Sequence, residues 1–120
     1  MTYKTAVELT EEARARIREV SAADVIKELA GADAPVLLDV REPNETNLGR
    51  VRGAMVIPRG QLESKIEAAL PREAKIVVYC ANGNRSALAA DTLQMMGYAN
   101  ARNLIAGWTG WVGADGPVDG

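Results

Sequence analysis

Lys75-Ile76-Val77-Val78-Tyr79-Cys80-Ala81-Asn82-Gly83-Asn84-Arg85-Ser86 is an apolar run that breaks into a polar, glycine-containing turn, and the helix-forming stretch Ala87 to Leu93 follows it. A strand, a tight loop and a helix start, with a thiol where the strand ends, make one unit of an α/β fold. Outward from it, Pro35 to Val40 is a second compact apolar run bounded by turn residues, the pattern of a buried parallel strand. Ala54 to Pro58 and Asn100 to Ile105 supply further short strands, and Arg18 to Val20 fits either a helix end or a strand. Between them, Ser21 to Asp24 reads as a helix cap with Gly31 as the stop. Leu62, Ile66 and Leu70 share one helical face, and Ala89, Leu93 and Met96 form another stripe. Thr10 is expected to cap the first helix, Arg41 to Gly53 to be loop, and the end from Gly113 to be loose. Alternating strands and helices predict an α/β domain with a mainly parallel sheet and right-handed crossovers. In such sheets ligands sit beyond the carboxyl ends of the strands, which is where Cys80 falls.

The composition narrows the chemistry. The 120 residues bear a formal charge of −2, against a nucleic-acid partner, and no apolar run reaches membrane-spanning length. Cys80 is the only cysteine, so an intramolecular disulfide is excluded. There is no histidine, which removes Cys-His and Ser-His catalysis and histidine metal sites; no metal or other cofactor is expected. An unpaired thiol suits a reducing compartment, and Met1 to Glu12 has no apolar signal core, so a cytoplasmic location is expected.

Cys80 has two readings. A buried free cysteine can be a small hydrophobe. Alternatively, if Ala81, Asn82, Gly83, Asn84, Arg85 and Ser86 curl around the sulfur, their N–H groups and the following helix N-terminus stabilise a thiolate. Gly83 gives the backbone freedom a tight cradle needs. Packing alone does not call for an Asn-Gly-Asn-Arg turn, and the reactive reading is the stronger. Trp108 and Trp111 are read as packing residues, as are Met95 and Met96, whereas Arg50, Arg52 and Arg59 fit a basic rim or a solvated surface equally.

The chain resembles the single-domain members of the rhodanese, or thiosulfate sulfurtransferase-like, family over roughly Ser21 to Val118. Leu37-Leu38-Asp39-Val40-Arg41-Glu42-Pro43, continuing through Glu45, Gly49 and Val51 to Ile57-Pro58, is similar to its first signature. Tyr79 to Ser86 is similar to its active loop, and Gly107-Trp108, Trp111 and Gly116-Pro117-Val118 to its terminal signature. The resemblance implies a three-layer domain with about five strands over residues 21–120 and leaves residues 1–20 as an N-terminal extension, whose helical reading rests on its capping signals.

It also implies that Cys80 takes a sulfane sulfur from a small sulfur-containing anion or persulfide donor such as thiosulfate. A cyanide or thiol acceptor, or a protein persulfide partner, then removes it. Asp39, Arg41 and Glu45 are implied as supporting residues near the loop. Arg50, Thr46 and Ala81 depart from residues the family often carries, and a carboxylate at Glu45 opposes a dianionic donor. A non-catalytic binding or redox-sensing module is the alternative that the same likeness allows. Protein tyrosine phosphatases, which cradle phosphate with Cys-x5-Arg, are disfavoured because Cys80 and Arg85 are spaced as Cys-x4-Arg.

Overall fold

A computed structural model of the chain describes residues 2–120. Its helices are α1 (Ala6–Arg16), α2 (Ala22–Leu29), α3 (Pro43–Thr46), α4 (Leu62–Ala69), α5 (Asn84–Met95) and α6 (Gly107–Gly113). Its strands are β1 (Arg18–Val20), β2 (Val36–Asp39), β3 (Arg50–Val51), β4 (Met55–Val56), β5 (Ile76–Tyr79), β6 (Ala101–Leu104) and β7 (Val118–Asp119). Five of the strands form one parallel sheet in the order β1-β6-β5-β2-β4.

β5 is the centre of the sheet and is buried on both faces, as its unbroken apolar run requires. Its side chains alternate. Ile76, Val78 and Cys80 pack with Leu62, Ile66, Ala89, Ala90 and Leu93, so α4 and α5 cover one face. Val77 and Tyr79 pack with Val25, Leu104 and Trp111, so α2 and α6 cover the other. Each aliphatic side chain fully buried here contributes about 1.5–3 kcal/mol. The result is the expected α/β arrangement, a five-stranded parallel sheet between two helical layers.

Four local expectations are corrected. The first helix is capped by Thr5, whose hydroxyl accepts from the Glu8 N–H in a reciprocal capping box, and Thr10 lies inside the helix. Arg41 to Gly53 is not all loop: α3 starts on Pro43, a residue suited to a first helical turn, and β3 follows. The end is not loose, because β7 pairs antiparallel with β3. Met95 points to solvent at 75% exposure, and of the methionine pair only Met96 packs on the core. Among the described residues no helix is long and apolar enough to cross a membrane.

Candidate active site

The loop from Cys80 to Ser86 lies at the carboxyl end of β5 and runs directly into α5. Gly83 is the N-cap of α5 at φ +99°, a conformation that costs glycine little and other residues much. That turn brings the first amides of α5 back onto the strand end. Cys80 is fully buried, and its Sγ accepts from the Gly83 N–H (3.2 Å), the Ser86 N–H (3.3 Å) and the Ser86 hydroxyl (3.3 Å). Burial pushes the thiol up, but the Ser86 hydroxyl and amide, with the amides of Asn82 and Gly83, outweigh it, and the net shift is downward. The sulfur therefore sits in a nest built to hold negative charge, with no imidazole involved.

The other loop residues shape the nest. Asn82 Oδ1 accepts the Asn84 N–H at 3.3 Å. The carbonyls of Cys80 and Ala81 accept from the N–H groups of Trp108 (2.8 Å) and Thr109 (3.1 Å), and the Thr109 hydroxyl donates to Ala81 as well. α6 thus clamps the loop from behind. Gly107 makes this approach possible, since a Cβ there would lie 2.3 Å from the Cys80 oxygen. Arg85 donates to both oxygens of Glu45 at 3.0 Å and gives no hydrogen bond to the sulfur. Those hydrogen bonds, ahead of all else, hold the Glu45 carboxyl below the usual carboxylate range.

Asp39 and Arg41 form a separate buried unit. The guanidinium donates to both Asp39 oxygens (2.8–3.2 Å) and to the Gly49 carbonyl (2.7 Å), and it lies 4.8 Å over the Trp108 ring. Neither side chain hydrogen-bonds to residues 81–86; their link to the loop passes through Trp108, whose N–H holds the Cys80 carbonyl. Tyr79 has a part beyond that of a plain strand residue: its hydroxyl accepts the Val51 N–H, and burial first, then Asp39, pushes the phenol up so that it stays protonated. Of the three candidate rim arginines, Arg59 pairs with Glu63 and Arg52 lies 3.8 Å from Asp119.

Sequence reasoning missed Thr109, Asn103 and Arg14, which reach the loop from elsewhere in the chain. No motif marks them, because each contacts backbone or a side-chain amide across a long sequence separation. Among the described residues no cluster of acidic, cysteine or histidine side chains could hold a metal ion.

Residues 21–114 match the family model described as a rhodanese-like domain. A mitochondrial protein of Schizosaccharomyces pombe, provisionally named a thiosulfate sulfurtransferase, is 32% identical over 97 residues, covering 71% of this chain and 68% of the relative. The solved rhodanese-related protein of Thermoplasma volcanium superposes with TM-score 0.77 at 35% identity, over 85% of this chain and 97% of its own. A Rhodopseudomonas palustris protein of unknown function, described as a possible tyrosine phosphatase, superposes with TM-score 0.87 at 32% identity, over 99% and 97% of the two chains.

Proposed function

The chain belongs to the rhodanese-like domain family, and from that premise we propose that it is a sulfurtransferase whose Cys80 carries the transferred sulfur as a persulfide. The observation that carries this reading is the convergence of two amides and a hydroxyl on a buried sulfur. The Cys80 thiolate attacks the outer sulfur of a donor. With thiosulfate, a new S–S bond forms, the donor's own S–S bond breaks and sulfite leaves with the electron pair. The acceptor, cyanide or a thiolate, then attacks the terminal sulfur of the persulfide. That S–S bond breaks, thiocyanate or an acceptor persulfide departs, and the thiolate returns. The terminal sulfur is anionic, so Ala81 to Ser86 hold it with the donors that hold the thiolate.

Glu45 is engaged with Arg85, and the loop offers no uncommitted guanidinium to a dianion. That favours a persulfide donor, small or protein-borne, over thiosulfate. It also disfavours phosphate-ester chemistry, in which a guanidinium must face the transferring group. Asp39, Arg41 and Glu45 serve as supports: the first two steady Trp108 behind the loop, and Glu45 fixes Arg85. We assign residues 1–20 as an extension to the domain at 21–120, on the ground that the family match starts at residue 21. A cytoplasmic site of action suits a lone thiol that must stay reduced.

Initial rates of thiocyanate formation, with thiosulfate and cyanide varied together, test the mechanism. Parallel double-reciprocal lines are expected for a covalent intermediate. Intersecting lines contradict it, and absence of turnover with both thiosulfate and a persulfide donor favours a binding module. Phosphate-ester hydrolysis abolished by Cys80→Ser would point to a phosphatase instead.

A further inference from the structure

Arg14 lies on α1, upstream of the stretch that matches the family model, yet it reaches the loop that holds Cys80. Its Nη2 donates to Asn84 Oδ1 at 2.9 Å and to the Gly83 carbonyl at 3.2 Å, while Nη1 donates to Glu19 at 2.6 Å. Asn103, fully buried on β6, donates through Nδ2 to the same two acceptors, the Gly83 carbonyl (3.2 Å) and Glu19 (2.9 Å). The buried Asn103 Oδ1 has no partner. Turning the amide to use that oxygen would set it against two acceptors, so the side chain is committed to its present orientation.

All of this converges on one residue, through the two peptide groups that flank its Cα. Gly83 supplies an N–H to the Cys80 sulfur, and at φ +99° it is also the residue with the widest backbone freedom in the loop. Its carbonyl is gripped by Arg14, Asn103 and the Ala87 N–H. α1 packs along α5 with Ala13 as its one fully buried side chain, and the polar links of Arg14 tie it in addition to the loop that precedes α5. We propose that Arg14 is a positioning residue for the Cys80 loop: with Glu19 and Asn103 it holds the Gly83 carbonyl, which fixes the turn about the Gly83 Cα in which the loop amides meet the sulfur, and so sets the reactivity of the thiol. This rests on the thiolate chemistry assigned to Cys80 above.

Because Cys80 is the only cysteine, alkylation by iodoacetamide reads this one thiol in the intact protein. The rate is followed against pH for wild type, Arg14→Gln, Arg14→Lys and Arg16→Gln, with thermal melts alongside. Arg16 binds Asp91 and does not touch the loop, which makes it the control for a loosened α1. The midpoint is expected to rise by about half a unit to one unit in Arg14→Gln, to return part of the way in Arg14→Lys, and to stay in place in Arg16→Gln. An Arg14→Gln profile that overlays a low wild-type profile, or one that Arg16→Gln reproduces, overturns the role of Arg14. A wild-type midpoint near the ordinary value of about 8.5 overturns the thiolate reading itself. Should Arg14→Gln not fold, Arg14→Lys alone carries the test: a single ammonium cannot span Glu19, Gly83 and Asn84 as the guanidinium does, so its midpoint is expected to lie above that of the wild type, and no movement overturns the proposal.

Discussion

A sulfur with no solvent contact is a poor place for a charge, and at Cys80 burial does oppose ionisation; Ser86, giving both its hydroxyl and its amide, is the largest force against it. Ser86→Ala leaves the amide in place and is expected to raise the thiol midpoint by roughly one unit, read by alkylation rate against pH. The sign follows from the shift. The thiolate is present above the lowered folded value and is lost as pH falls through it, so sulfur loading should reach its plateau at a lower pH than an ordinary thiol would and fall on acidification. A profile that instead climbs steeply through pH 8 to 9 would mean that the nest does not hold the anion. The buried Asp39–Arg41 pair makes a different prediction, of stability. Asp39→Asn leaves a buried guanidinium without its charge partner and is expected to cost about 3–5 kcal/mol in urea unfolding.

At the scale of elements, the β5–loop–α5 unit was legible because each part has its own signal: an unbroken apolar run, a glycine flanked by asparagines, then a helical stripe. β3 and β7 were not, since strands of two residues carry no periodicity. The Thr5 cap was legible in principle, because Thr5 and Glu8 have capping-box spacing, but Thr10 stands before two glutamates and competes with it. The Gly107-Trp108 signature could be recognised but not explained from sequence: the reason for glycine is a backbone contact with Cys80. α6 therefore holds the strand-side end of the loop, through the Cys80 and Ala81 carbonyls. Gly107→Ala forces both a clash and a left-handed φ, and should lower stability by roughly 2 kcal/mol or more while abolishing sulfur loading. A variant with an unchanged melting temperature and full loading would show that the clamp is dispensable.

Over the whole molecule, the parallel sheet gathers at the carboxyl end of β5 groups that lie far apart in sequence, from Arg14 to Thr109. Which side chains close that assembly depends on packing between elements, so charge pairs such as Glu45–Arg85 and Glu28–Arg102 had no local signature. Glu28, Glu45 and Asp91 are all held below their ordinary values, chiefly by hydrogen bonds from Arg102, Arg85 and Arg16. Their stabilising contribution is complete above the unfolded values, near pH 4, and is lost as pH falls through the folded ones. Melting temperature measured by circular dichroism should hold from pH 7 to about 5 and drop below about 4. A melting temperature independent of pH in that acid range would show these pairs to be ornamental surface contacts.

If Cys80 carries sulfur, intact mass spectrometry sees that sulfur on the protein itself. After incubation with thiosulfate or a persulfide donor and removal of the excess, wild type should gain one sulfur atom, which cyanide releases as thiocyanate. Cys80→Ser should gain none. A wild-type mass unchanged by both donors, or a Cys80→Ser protein that loads equally, would show that Cys80 is not the sulfur carrier.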